Sequence, residues 1–226
     1  MGAHDGQNLK YFDGHDVFAL EANPNLIPSL KQHCLEDRIL NKALVGVESE
    51  TTKFYFSREI SEWGTTEKSR LISGSKFTTF EEILVESVKL QDLIKTWPAP
   101  DIMIVDIEGS ELKALVEPML GLKEYFTESI IVIELSKDNW ESIFSSFSSW
   151  RNQFSIVING KVDRNNQEHR GSTSSIEEWA SEAILKNKMQ KMDSTSTKQW
   201  LEIWFEAKGR KFEFNFSAWV DLVIYA

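Results

Sequence analysis

The chain has 226 residues, 41% of them hydrophobic and 27% charged, enough for one well-buried α/β domain of the ordinary globular kind. Its 25 Lys and Arg stand against 35 Asp and Glu, a formal charge of -10 that repels phosphate backbones, so no nucleic-acid partner is expected. No apolar run approaches the roughly 18 residues of a membrane span, and the single cysteine, Cys34, leaves neither an internal disulfide nor a cysteine-based zinc site.

The early segment matches neither a secretory signal nor a lipidation signal, since Gly2 is followed by His4 and Asp5 without a Ser or Thr at the required place. A cytoplasmic protein is the expectation. Short apolar runs at 17–22, 43–47, 53–56, 102–107 and 130–135 predict strands buried on both faces. Between the first two, Leu26, Ile27, Leu30 and Cys34 recur at helical spacing, with Asn25 placed to cap and Pro28 in the first turn, which makes a βαβ unit.

The Ser, Thr and Gly-rich stretch 57–79 reads as a loop over the active face, and 88–95 as a short helix before the turn at 98–100. A second crossover is predicted over 110–125, where Leu112, Leu115, Val116 and Met119 form one stripe and Pro118 signals a kink or early end. Beyond Leu135 come an aromatic-rich helix over 138–150, a strand over 154–158, a mobile loop or lid over 159–175, a helix over 176–192, an alternating segment at 212–216 and a last strand over 220–225. A single domain spans 1–226, with 1–135 as a cofactor-binding core and 136–226 as C-terminal helices and strands that include a substrate lid within 159–217.

Two constellations carry chemistry. The first is the turn Gly2-Ala3-His4-Asp5-Gly6, followed by a strand that ends in Glu21-Ala22-Asn23-Pro24. In nucleotide-type α/β folds a glycine turn admits ligand to the backbone, and a carboxylate at the next strand tip accepts both ribose hydroxyls, jobs for which Gly2, Gly6 and Glu21 are placed. The plainer alternative is a tight turn and a surface glutamate. His4 stands where the dinucleotide fingerprint wants glycine, which favours a smaller cationic ligand, such as a sulfonium cofactor, over NAD.

The second is Asp106-Ile107-Glu108-Gly109-Ser110-Glu111, three carboxylates around a glycine at the end of an apolar strand. Strand alternation would turn Asp106 and Glu108 to one side, close enough to raise one another's pKa and furnish a base near neutral pH. Glu111, in the first helical turn, would complement the helix dipole. The plainer alternative here is an acidic helix N-terminus.

Together these stretches resemble the FkbM family of methyltransferases, whose hallmarks are a G-A-x-x-G turn, an E-x-N-P after the second strand and a D-x-E-G-x-E after the fourth. Similarity extends to 42–56, to Glu62-Trp63-Gly64-Thr65-Thr66 and to Val88-Lys89-Leu90-Gln91-Asp92-Leu93, so that it covers about the first 135 residues. The resemblance implies an α/β, Rossmann-like class I methyltransferase fold: a mostly parallel central sheet, helices on both faces and an antiparallel C-terminal strand. It also implies S-adenosyl-L-methionine as cofactor. Gly2, Ala3, Asp5 and Gly6 would surround its methionine portion, Glu21 with Ala22 and Asn23 its ribose, and Ala43, Leu44 and Val45, or Gly46, the adenine edge. Asp106 would face the sulfonium and the acceptor, with Asp106 or Glu108 as the catalytic base.

The family's first strand brings an apolar run before the glycine turn, whereas here Met1 directly precedes Gly2. The expectation is a truncated first strand in a fragment or late start, with 220–225 as the usual last strand, antiparallel near the edge. In the alternative, a permuted topology, 221–226 fills the central slot. Trp140, Phe144, Phe147, Trp150, Trp179, Trp200, Trp204 and Trp219 line either a sugar-binding surface or, more commonly, core. His4, His15, His33 and His169 lack ligand spacing and no metal is assigned, although Asp106 and Glu108 have the chemistry to share a divalent cation.

The leading functional expectation is O-methylation of a hydroxyl on a sugar or small metabolite, with a small-molecule or glycan acceptor as partner. The others are a catalytically inactive Rossmann-like binding or scaffold module and, last, a nicotinamide-dependent oxidoreductase. Lids and insertions choose the acceptor in such enzymes, so the acceptor and the oligomeric state are not legible.

Overall fold

The apolar run after the glycine turn folds as β1, Ala19–Leu20, in a computed structural model that describes residues 1–6, 9, 12, 14–57, 64–69, 80–157, 191–211 and 220–226. The described residues gather into two units, Met1–Thr127 and Glu128–Ala226.

In the first unit, β1 pairs in parallel with β2, Ile39–Leu40, across the expected helical crossover. That crossover begins earlier than the spacing predicts. Asn23, not Asn25, is the cap: its side chain accepts the Asn25 N–H at 3.1 Å, and Pro24 occupies the first helical position, where no N–H is needed. A short 3-10 turn, Pro24–Leu26, then runs into α1, Ile27–Leu30. Ala19, Leu30 and Cys34 form a buried cluster against which Ala3, Val17, Ile27 and Ile39 pack. The Cys34 sulfur donates to the Val17 carbonyl, and burial pushes its thiol pKa up, so it is a core residue.

β3, Ala43–Leu44, pairs in parallel with the end of β6, Phe80–Val88, while β4, Thr51–Ser57, runs antiparallel to β6 along its length and to β5, Gly64–Thr65, on its other edge. Phe54, Phe56 and Val85 close with Ala43 over a second buried cluster. Lys42–Glu86 and Lys53–Glu82 ion pairs sit on the exposed side, where they contribute little stability. β5 lies inside the stretch expected to be loop, most of which falls outside the described residues.

After α2, Leu90–Leu93, comes β7, Ile102–Val105. Its burial alternates, Met103 and Val105 inside and Ile102 and Ile104 exposed, which corrects the expectation of a strand buried on both faces. The second crossover opens as a π-turn, Leu112–Val116, before α3, Glu117–Leu120. Pro118 explains the widening: it has no N–H, and its ring would strike a carbonyl four residues back, so the Glu117 N–H instead reaches the Leu112 carbonyl.

Residues 1–3 lie between β1 and β7. The Met1 nitrogen donates to the Ile104 carbonyl at 2.7 Å, the Asp106 N–H donates to the Met1 carbonyl at 3.1 Å, and the N–H groups of Gly2 and Ala3 both reach the Leu20 carbonyl. The tip of the central position is therefore bonded on both sides.

In the second unit, β10, Val220–Ile224, is antiparallel to β8, Ile130–Leu135, on one edge and to β9, Phe154–Val157, on the other. With both edges taken, β10 is the antiparallel C-terminal strand expected, and the permuted arrangement is not adopted. α4, Trp140–Ser148, buries Ile143, Phe144 and Phe147, and Phe144 meets the Phe154 ring at 5.2 Å. α5, Ser194–Lys211, was not foreseen and falls within the expected lid. Asp193 caps it by accepting the Ser196 N–H at 2.7 Å, and Thr197, Leu201 and Phe205 are buried at helical spacing, with Phe205 stacked on Trp140. The aromatic residues of this unit that are described are thus largely core. The helix expected over 176–192, the loop over 159–175 and the segment 212–216 fall almost wholly outside the described residues.

The fold is α/β, but its sheets are mixed: β1–β2 and β3–β6 are parallel, whereas the long pairings of β4 with β6 and of β10 with β8 and β9 are antiparallel. The apolar runs specified strands without specifying direction, because direction is set by the connections between them. At Gly46 the chain after β3 passes so close to the π-turn that an added Cβ would lie 2.5 Å from the Lys113 carbonyl oxygen. Gly46→Ala is expected to destabilise the protein by about 1 to 3 kcal/mol, an overpacking cost, in denaturant unfolding. An unchanged midpoint would show that the contact is not close-packed.

Candidate functional site

The site is built where the glycine turn, the tip of β1 and the turn after β7 converge. Glu21 follows β1 directly and is 6% exposed. One carboxylate oxygen accepts the Asn23 N–H at 2.7 Å and the other the His4 N–H at 2.8 Å. His4 reaches it from a left-handed conformation, φ 52°, and its ring Nδ1 lies 3.2 Å from an Asp5 carboxylate oxygen. The Asn41 side chain donates to the Glu21 and Ala22 carbonyls, which fixes the strand end from the other side.

Gly2 explains why the turn starts with glycine. Its φ is +69°, and a Cβ there would lie 1.7 Å from the Asp106 carbonyl oxygen, so the turn rests directly on the backbone of the acidic motif. Gly6, also at positive φ, packs against Leu30 and His33. Gly2 and Ala3, bonded to Leu20, and Glu21, bonded to His4 and Asn23, are therefore brought to one place with the Asp106 backbone, while Asp5 meets His4 and Gly6 faces the first crossover.

β7 ends at Val105, so strand alternation does not orient Glu108. A left-handed turn does, with Glu108 at φ 54° and Gly109 at φ 103°. The turn, rather than strand alternation, brings carboxylate oxygens of Asp106 and Glu108 within 4.8 Å of one another. Glu111 has a different task from the one expected. It is 1% exposed, and its carboxylate accepts the N–H of Ile107 at 3.1 Å and of Gly109 at 3.0 and 2.9 Å, folding back on the turn rather than facing a dipole.

Thr65 and Thr66, at the end of β5, bind the same turn. The Thr65 hydroxyl donates to the Glu108 carbonyl at 2.8 Å and accepts the Glu67 N–H at 2.9 Å, and the Thr66 and Ser110 hydroxyls are 2.6 Å apart. Sequence reasoning gave these residues and Asn41 no individual role, and no short-range spacing reveals contacts to groups 20 to 44 positions away. Ala43, Leu44 and Val45 are buried, Ala43 in the cluster on which Ala22 packs, and the Val45 N–H is given to the Val88 carbonyl at 3.0 Å. A base edge lying here would have to be met by other groups. A cleft of about 660 Å³ adjoins β3, lined by Lys42, Glu48, Glu86, Ser87, Val88, Lys89 and Asp92, and Ser87 and Val88 are the strand partners of Ala43 and Leu44.

Burial is the largest influence on Glu21 and raises its pKa, opposed by the N–H groups of Asn23 and His4. A carboxyl with a raised folded-state pKa binds a proton in the native state that the unfolded chain has already released. Stability contributed at Glu21 is thus present below the ordinary glutamate value, about 4.3, and is lost as pH rises through the folded value. The Tm of wild type relative to Glu21→Gln is expected to fall as pH increases above about 4.3, and a difference constant from acid to neutral pH would contradict this.

The carboxylates of Asp5, Glu21, Asp106 and Glu108 make this an acidic site, with a polar backbone turn at its centre, suited to a cationic ligand bearing hydroxyls. Among the described residues no helix is long and apolar enough to cross a membrane. No curated protein and no solved structure matches the chain. A family model described as the methyltransferase FkbM domain matches residues 1–167, beyond the 135 residues over which the motifs run and well over half of the 226, and the chain belongs to that methyltransferase family.

Proposed function

We propose that this chain is a cytoplasmic, single-domain S-adenosyl-L-methionine-dependent methyltransferase of the class I, Rossmann-like kind that methylates a hydroxyl of a sugar or small metabolite. The observation that carries the reading is Glu21, a buried carboxylate with both oxygens pinned by backbone N–H groups, one of them from the glycine turn. Pinned in this way it retains lone pairs for the two ribose hydroxyls and needs no reorganisation to accept them.

The donor set fits the cofactor. Gly2, Ala3, Asp5 and Gly6 would hold its methionine portion, and Glu21 with Ala22 and Asn23 its ribose. The backbone near Ala43, Leu44 and Val45 would run along its adenine. When bound, the cofactor would supply an electrophilic methyl group carried on a sulfonium. Asp106, exposed beside the turn, would orient the acceptor, and Asp106 or Glu108 would receive the hydroxyl proton. The acidic surroundings favour a cationic centre before transfer over the neutral thioether after it, a difference that aids binding of the reactant.

Thermal unfolding with S-adenosylhomocysteine and, separately, NAD tests the reading. The expected result is a rise in Tm of a few degrees with S-adenosylhomocysteine alone, abolished in Glu21→Ala. A rise with NAD alone, or one that persists in the variant, would assign the site to another ligand. Methyl transfer is then read as conversion of the cofactor in the presence of a panel of sugar and metabolite hydroxyls.

A further inference from the structure

The turn that carries Asp106 and Glu108 is held from two directions by side chains the methyl-transfer reading does not use. From the C-terminal side, the Glu111 carboxylate accepts the N–H of Ile107 and of Gly109. From across the fold, the Thr65 hydroxyl donates to the carbonyl of Glu108, the residue between those two amides, while Thr66 meets Ser110. Thr65, Ser110 and Glu111 are all buried and their partners half-buried, so competing water is partly excluded from these bonds.

The turn has a conformation in need of holding. Glu108 is a non-glycine residue at φ 54°, followed by Gly109 at φ 103°, and two consecutive left-handed residues persist only when their surroundings over-determine them. Loss of either hold would let the turn relax toward an ordinary helix entry, moving the Asp106 carbonyl on which Gly2 sits. Gly2 leads in turn to His4, whose N–H pins Glu21. A continuous set of contacts thus links β5 to the ribose-binding carboxylate.

We propose that Glu111 and Thr65 are positioning residues that jointly clamp the acidic turn, so that they set cofactor affinity and the approach of Asp106 to Glu108 without touching either ligand. The proposal deepens the methyl-transfer reading and rests on it. The pair is expected to act as one device, so that release of Thr65 loosens amides that Thr65 itself does not contact.

The test uses the full chain as wild type, Thr65→Val, Thr65→Ser and Glu111→Gln, with amide hydrogen exchange and calorimetric titration of S-adenosylhomocysteine. Thr65→Val is expected to speed exchange at Gly109, whose partner is Glu111, by about tenfold, and to weaken S-adenosylhomocysteine by a comparable factor. Thr65→Ser, which keeps the hydroxyl, is expected to restore both, a rescue that loss of packing alone would not give. Glu111→Gln is expected to loosen the same amides and weaken binding in the same direction.

Unchanged exchange at Gly109 in Thr65→Val overturns the clamp, as does faster exchange with wild-type affinity. A wild-type chain that does not bind S-adenosylhomocysteine defeats the cofactor reading instead. The exchange data, which need no ligand, then decide the clamp separately.

Discussion

The close approach of Gly2 to the Asp106 carbonyl is the constraint on which the rest of the site depends. Only a residue without a side chain can rest there, and only with the left-handed backbone that glycine adopts freely. From that point the turn reaches His4, which gives its N–H to Glu21, and in the other direction Asp106 leads through Glu108 to the bonds from Thr65 and Glu111. The glycine turn and the acidic motif are separated by about a hundred residues in sequence yet form one backbone-to-backbone contact. Neither can move without the other.

The electrostatics follow from this packing. Glu21 is buried, which disfavours its ionised form and raises its pKa; two backbone N–H groups oppose that shift without cancelling it. Asp106 stays exposed, with a Glu108 oxygen within 4.8 Å. Two carboxylates thus have different surroundings, one fixed and buried, which the proposed function assigns to the ribose, the other exposed, which it assigns to the acceptor. The contrast comes from backbone geometry, since the chain buries Glu21 directly after β1 and leaves Asp106 exposed directly after β7.

The sequence showed the motifs and their order plainly, because glycine turns and strand-end carboxylates leave short-range signatures. The strand 130–135 is found at its expected bounds, although only Ile131, Ile133 and Leu135 are buried rather than both faces, and Glu21 is at a strand end as its spacing requires. Strand direction was not legible: the seven residues of β4 and the nine of β6 pair antiparallel, a result of their connection rather than of their apolar pattern. Asn23 rather than Asn25 caps the first crossover because Pro24 marks its first position. Glu111 was read as a dipole partner because its position in a first helical turn suggested it, whereas its burial and its bonds to Ile107 and Gly109 depend on a turn no periodicity encodes. Thr65 was invisible as a site residue for the same reason, since its contact to Glu108 spans 43 positions.

The most direct test of the central claim is the affinity for S-adenosylhomocysteine of Gly2→Ala set against Gly14→Ala. Both glycines have positive φ, but a Cβ at Gly14 meets nothing within 4 Å, so the pair separates backbone strain from collision with Asp106. The account predicts that Gly14→Ala binds as wild type does while Gly2→Ala loses measurable binding. Equal affinities in the two variants would contradict it.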